Sequence, residues 1–173
     1  MKKVYILWCA LVSLATMGYA QKQVFLPDSL RCYDLNDSNS RWCWQRSVQT
    51  DNIIVFWEKG FGDDLSNPPT LEGKSMSFDL DNLLQRVETF YAYFRDSLRF
   101  TLPGSKAERY KMMVMVNYSL DGTAYGGTYD NFIGALWVAP NRIQDRKLNC
   151  IAHELGHSFQ LQIQADSLSP CWG

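Results

Sequence analysis

The apolar residues of this 173-residue chain fall into several short runs and one long periodic stripe. The run IIVFW, at positions 53–57, is β-branched and aromatic and is bounded by polar residues, which predicts a buried strand. The runs KMMVMVNY (111–118) and NFIGALWVAP (131–140) predict two further strands. Between them, DGTAYGGTYD (121–130) is rich in glycine and predicts turns.

The long stripe begins after Asp79 and has the spacing of an α-helix. Its members lie at offsets of 0, 3, 4, 7, 11, 14 and 18 from the first, so they form one face over five turns. Pro103 and Gly104 end the pattern, which predicts a helix that packs on the core. These members are Leu80, Leu83, Leu84, Val87, Tyr91, Phe94 and Leu98.

A second helix is expected to start near Asn141 or Gln144 and to continue past His157. The resulting order is strand, helix, strand, strand, helix, without internal repeats or a clear linker. This order predicts one α+β domain with α/β-like order, in which a small mixed sheet carries a backing helix and a second helix. The domain would occupy residues 51–173, after an irregular N-terminal segment at 21–50.

Residues 1–20 have the layout of a secretory signal peptide. Lys2 and Lys3 precede a largely apolar stretch at 4–17, and small residues then stand at Gly18 and Ala20. A membrane anchor is the alternative, but the apolar stretch is short for a span and polar sequence follows at once. We therefore expect a secreted, periplasmic or cell-surface protein that has no stable membrane insertion after the signal is removed.

The charge of the remaining residues 21–173 excludes some partners. Without Lys2 and Lys3, 15 basic residues stand against 18 acidic ones, a net charge of −3. No basic block occurs, so binding to nucleic acid or to an anionic membrane is not expected.

Removal of the signal would leave four cysteines: Cys32, Cys43, Cys150 and Cys171. In an exported chain, four cysteines suggest two disulfides, for which three pairings are possible. The pairs Cys32–Cys43 and Cys150–Cys171 are favoured because each closes a short loop. Free buried thiols are the alternative.

The only two histidines, His153 and His157, are four residues apart within NCIAHELGHSFQ. On a helix that turns about 100° per residue, the apolar residues around Leu155 form one face. Both histidines then project from the opposite face, one turn apart, and Glu154 flanks them. Two imidazole nitrogens on one metal ion need this arrangement, so we expect a Zn²⁺ site.

The residue types fit hydrolytic chemistry. Zinc binds neutral imidazole and lowers the pKa of a bound water to about 7. Glu154 lies too far round the helix to bind the metal with the histidines, but it can accept a proton from the water as general base. A helix whose polar face carries two histidines by chance is the alternative.

HELGH matches the HExxH signature and therefore resembles the zincin metallopeptidases. The order of elements before it is similar to the upper lobe of that family. FWEKGFG (56–62) together with AHELGHSFQ is also similar to a group of secreted bacterial zincin-like domains. The resemblance implies a zinc-dependent peptidase that acts on peptide or protein substrates.

In zincins, the strand before the active-site helix often pairs with an extended substrate. The resemblance would assign this role to the strand at 132–138, through Gly134, Ala135 and Leu136. An ordinary strand within the sheet is the alternative for this segment.

The third zinc ligand is missing from the motif. Metzincins continue as HExxHxxGxxH, but Gln160 and Ile163 occupy those slots here, so that subgroup is excluded. The acid of a gluzincin-like site could be Asp166, if the helix ended near Gln162 and the chain folded back. We expect instead that the ligand lies beyond Gly173 and that this chain holds only the N-terminal lobe.

A second functional hypothesis is a non-catalytic extracellular module that binds glycans or proteins. It would use an aromatic surface around Trp42, Trp44 and Trp57, beside a decayed or incomplete metal site. A place in the core is the alternative for these three tryptophans.

Overall fold

The structure, a computed structural model, describes residues 21–167. The expected signal peptide at 1–20 and Cys171 lie outside the described residues. The strands are Ser47–Gln49 (β1), Ile53–Trp57 (β2), Met112–Val116 (β3), Ala124–Tyr129 (β4) and Ile133–Val138 (β5). The α-helices are Asp28–Arg31 (α1), Leu80–Ala92 (α2), Lys106–Arg109 (α3) and Asn149–Ser167 (α4).

The strands form one mixed sheet in the order β1-β2-β3-β5-β4. The three inner strands β2, β3 and β5 are parallel, and the edge strands β1 and β4 run antiparallel to their neighbours. The predicted α+β class is confirmed. The predicted strand at 53–57 is also confirmed, and the two later predicted strands are each shorter at both ends than their apolar runs.

Both faces of the inner sheet are covered, which explains why these strands read as continuous apolar runs. Side chains alternate between the faces, so Val55 and Val114 point to one core cluster while Phe56 and Met115 point to another. Helices α2 and α4 cover the first face. The N-terminal segment covers the second face with residues such as Leu30.

Helix α2 follows the predicted stripe, and it starts where the sequence indicated. The Asp79 side chain caps its N-terminus by accepting a hydrogen bond from the Asn82 N–H at 2.9 Å. Leu83, Val87 and Tyr91 are buried against the sheet and α4. The α-helix ends at Ala92, and a π-helical turn continues it over Tyr93–Ser97.

Strand β4 was predicted as turns, and this prediction is wrong. Its sequence AYGGTY contains two glycines and only small or amphipathic side chains, so it lacks the apolar run of a buried strand. It forms a hairpin with β5 through the three-residue connection 130–132, in which Asp130 and Asn131 have positive φ, 52° and 50°. Asp and Asn tolerate this conformation, which suits a tight hairpin turn.

The segment at 21–50 is also more ordered than predicted, because its last residues form β1 and join the sheet. Arg46 holds the preceding loop together. Its guanidinium is only 1% exposed, donates to the carbonyl oxygens of Ser38 and Ser40, and forms an ion pair with Asp63. Buried guanidinium groups need such partners, so the loop at 38–46 is fixed around this side chain.

The aromatic surface of the binding-module hypothesis is not present. Trp42 and Trp57 are 5% and 6% exposed and belong to the two core clusters, and Trp44 packs on one of them. The Trp44 ring lies 5.5 Å from that of Phe56, centroid to centroid. The N-terminal segment folds back over the sheet and so places Trp42 and Trp44 against the second face, whereas Trp57 lies in the cluster on the first face.

The cysteines that the structure describes are free thiols. Cys32 is exposed and donates to the Ser29 carbonyl oxygen at 3.0 Å, whereas Cys43 is buried and Cys150 partly buried. The Cys32–Cys43 bond is thus not formed in the structure, and this disulfide stays a prediction. The pair Cys150–Cys171 includes a residue outside the described range.

Candidate metal centre on helix α4

Helix α4 starts at Asn149, five to eight residues later than predicted. Pro140–Arg142 forms only a single 3-10 turn. Leu148 then has a φ of 53°, a left-handed conformation that no α-helix can include. Leu148 is buried, and its carbonyl oxygen accepts the Ala152 N–H at 3.0 Å. The helix therefore begins directly after this residue.

The predicted faces of α4 are confirmed. Ile151, Leu155 and Phe159 are at most 1% exposed and join the core cluster under the helix. His153 and His157 are exposed on the other side. The apolar face fixes the rotation of the helix, so both imidazoles project outward.

The two imidazoles converge through their Nε2 atoms, which are 3.0 Å apart. The ring centroids are 4.6 Å apart, and the ring planes are nearly perpendicular, at 89°. Two nitrogens that each lie about 2.05 Å from a tetrahedral zinc are about 3.3 Å apart. The pair thus fits a single zinc ion with a small adjustment of either ring. Neutral imidazole is also a preferred ligand of this metal.

The Glu154 side chain reaches the edge of the sheet. Its Oε2 atom accepts a hydrogen bond from the Gly126 N–H of β4, at 2.9 Å. A carboxylate held by a backbone N–H has a defined position, and this one flanks the imidazole pair as the helical phase predicted. It is half-buried between helix and strand.

Gly126 also allows β4 and α4 to meet backbone to backbone. A Cβ atom at this position would lie 1.7 Å from the Glu154 carbonyl oxygen, which no side chain can accommodate. Glycine in a strand often marks such a close approach. The apolar pattern did not reveal Gly126. The signal that could have found it is the glycine pair between Tyr125 and Thr128, shortly before the turn at 130–132.

Polar side chains on the underside of α4 bind the backbone of β5. The Ser158 hydroxyl donates to the Ala135 carbonyl oxygen at 2.7 Å. The Gln162 amide nitrogen donates to the Phe132 carbonyl oxygen at 2.9 Å, and its oxygen accepts the Gly134 N–H. These buried bonds set the rotation and height of the helix against the sheet, in addition to apolar packing.

A protein family described as a family of unknown function, DUF6055, matches residues 16–172 of the chain. The chain belongs to DUF6055. No curated protein and no solved structure matches it.

The substrate-pairing role assigned to Gly134, Ala135 and Leu136 in this DUF6055 chain is wrong, because β5 is an inner strand. Ala135 and Leu136 pair with β3 on one side and with β4 on the other. The N–H of Gly134 is held by Gln162. Strand β4, which the sequence did not reveal, is the edge of the sheet next to α4.

Asp166 does not reach the histidines, so its assignment as third ligand is also wrong. The helix does not end near Gln162 but continues to Ser167, which places Asp166 on the core side. Its carboxylate is 4% exposed and accepts the Lys106 N–H at 2.9 Å, at the start of α3. Burial raises the pKa of this carboxyl group above its usual value. Asp166 therefore joins α4 to α3.

Within residues 21–167, no cluster of three His, Cys, Asp or Glu side chains is arranged to hold a metal ion. The candidate site in the described residues therefore consists of the two histidines, His153 and His157, with Glu154 next to them. A third ligand beyond Gly173 stays a prediction. In the same part of the chain, no helix combines the length and the apolar character that a membrane span requires.

Proposed function

We propose that this chain is an exported zinc-dependent metallohydrolase of the zincin type, and that it acts on peptide bonds. The observation that carries the proposal is the convergence of the His153 and His157 Nε2 atoms to 3.0 Å on the exposed face of α4. Glu154 follows His153 in the motif, and its carboxylate is held at the sheet edge by the Gly126 N–H, which supports it as the general base of this proposal.

His153 and His157 would hold the metal ion. When bound, zinc would supply Lewis acidity, which polarises a carbonyl group and lowers the pKa of water. Glu154 would accept a proton through its carboxylate and return it to the leaving amine. Its hydrogen bond to Gly126 keeps the carboxylate at the edge of the sheet, where an extended chain would lie.

The outer edge of β4, apart from the Gly126 N–H that Glu154 holds, supports a peptide or protein as the substrate. Ala139 N–H donates to the Thr123 carbonyl oxygen at 2.8 Å, so the odd-numbered residues of β4 bond to β5. The backbone groups of Ala124, Gly126 and Thr128 therefore face away from the sheet. An extended peptide could add to this edge as a further strand, next to Glu154.

The first experiment measures zinc binding by calorimetry and peptide hydrolysis with a fluorogenic peptide library. We expect the Glu154→Gln variant to retain zinc and to lose hydrolysis, since the amide cannot accept the proton. The His153→Ala and His157→Ala variants should lose zinc binding, because each removes one of two ligands.

Equal hydrolysis by the wild type and Glu154→Gln would refute the catalytic role of the glutamate. Zinc binding that survives replacement of both histidines would refute the metal site. Glycan binding that a chelator leaves unchanged, without zinc uptake, would favour the binding-module hypothesis, although not through the buried tryptophans.

A further inference from the structure

Gln160 lies one turn beyond His157 on the exposed face of α4. Its amide oxygen Oε1 is 3.2 Å from the Nδ1 atom of His157. An amide oxygen can only accept a hydrogen bond, so this contact requires the proton of the neutral imidazole to be on Nδ1. The Nε2 atom of His157 then carries a lone pair.

This proton position also agrees with the contact between the two histidines. Their Nε2 atoms are 3.0 Å apart, and one of them must donate while the other accepts. Since His157 Nε2 is the acceptor, His153 must carry its proton on Nε2. One arrangement thus satisfies both contacts, with opposite tautomers in the two rings.

We propose that Gln160 is a positioning residue that holds His157 in the Nδ1–H tautomer and directs its Nε2 lone pair toward the metal. The tautomer follows from the contact of a neutral His157 ring with the Gln160 amide oxygen and needs no metal ion, whereas its effect on zinc rests on the proposed function. Histidine ligands of metals commonly donate their second ring N–H to an acceptor, which fixes the ring orientation and strengthens binding. Here the acceptor is an amide on the same helix, three residues along.

In the sequence, Gln160 stands out only because it replaces the glycine of the metzincin motif. The signal that could have found it is the spacing, because residues three apart on a helix are neighbours. A glutamine side chain at this distance is long enough to reach the outer nitrogen of the histidine ring.

The test measures the tautomers by two-bond ¹H–¹⁵N spectra of the metal-free protein at about pH 9, where histidine is ordinarily neutral. We expect the wild type to give Nδ1–H for His157 and Nε2–H for His153. Gln160→Ala should shift His157 toward Nε2–H, the form that the isolated side chain favours in water. Gln160→Glu should keep the Nδ1–H form because its carboxylate also accepts.

Zinc affinity, measured by competition with a chromophoric chelator, gives the second readout. We expect Gln160→Ala to weaken zinc binding about 10-fold and Gln160→Glu to retain at least the wild-type affinity. Gln85→Ala is the matched control, since Gln85 is an exposed glutamine in the middle of helix α2. It should leave the tautomers and the affinity unchanged.

An Nε2–H tautomer of His157 in the wild type would overturn the proposal. Unchanged tautomers and zinc affinity in Gln160→Ala would overturn it as well, and would leave the metal site intact. If the wild type bound no zinc, the proposed function would fail, while the spectra would still decide the role of Gln160. Circular dichroism should report unchanged folding, because alanine favours the helix and Gln160 is exposed.

Discussion

Strands β3 and β4 have similar lengths but contribute to the molecule in opposite ways. Strand β3, MMVMV, is buried on both faces and packs through its side chains. Strand β4, AYGGTY, is an edge strand that contacts α4 through its backbone at Gly126. The core therefore depends on side-chain volume in β3, whereas the candidate site depends on the absence of a side chain in β4.

The strongest way to break this comparison is to add a methyl group to β4. Gly126→Ala should lower the free energy of unfolding by about 4 kcal/mol, since the new Cβ meets a helix backbone oxygen that cannot move aside. Chemical denaturation measures this change. Zinc affinity should fall as well, because α4 would be displaced from the strand.

Gly127→Ala is the matched control for that prediction. The Cβ at Gly127 would meet the ring of Tyr125, which is exposed and can rotate. Its cost should be only about 1 kcal/mol. The comparison fails if Gly127→Ala destabilises the protein more than Gly126→Ala does.

Removal of volume from β3 should have the next largest effect. Val114 is fully buried, so Val114→Ala should lower the free energy of unfolding by about 2 kcal/mol through lost burial and a cavity. Urea denaturation measures the loss, and zinc affinity should equal that of the wild type. A clear loss of zinc binding in this variant would show that β3 also shapes the candidate site, and that its role is not confined to the stability of the core.

The smallest expected effect is on the pH dependence of the free energy of unfolding, through the charge of Lys22. This residue lies near the start of β3, where the Lys111 N–H donates to the Gln23 carbonyl oxygen. The neighbouring Lys22 donates to the Tyr91 hydroxyl and the Ala107 carbonyl, and burial lowers its pKa from 10.5 to about 8. Between these values the unfolded chain binds more protons than the folded one. The contribution of Lys22 to stability should therefore rise as the pH increases from 8 to 10.

Urea denaturation at pH 8 and pH 10 tests this, with Lys22→Met as the variant that removes the titration. The wild type should gain stability relative to Lys22→Met over this interval. Above pH 10 the raised pKa of Tyr91, about 12 because of burial, becomes a second contribution of opposite sign. A wild type that loses stability relative to Lys22→Met between pH 8 and pH 10 would contradict the prediction.

The sequence predicts those parts of the fold that are made by local patterns. The run IIVFW predicts β2, and the stripe from Leu80 predicts α2, because burial selects apolar side chains at fixed periods. The outward direction of His153 and His157 follows in the same way from the phase of one helix.

Features that depend on distant contacts could not be predicted in this way. The approach of Gly126 to Glu154 joins residues 28 apart in sequence, and no periodic pattern reports it. The helix start was misplaced because Leu148, a residue that rarely has a positive φ, adopts one under the constraint of burial. The burial of Asp166 likewise depends on α3, a four-residue helix without a periodic signal.

The hairpin of β4 and β5 and helix α4 follow one another along the chain, from Ala124 to Ser167. The hydrogen bonds that join α4 to β4 and β5 lie within this one continuous stretch, whereas α2 and α3 add further contacts from outside it. Short loops cost little entropy to close, and structures built from local contacts fold fast. The hydrogen bonds between α4 and the hairpin can therefore form early in folding, and the packing of α2 and of the inner strands β2 and β3 then holds α4 in place.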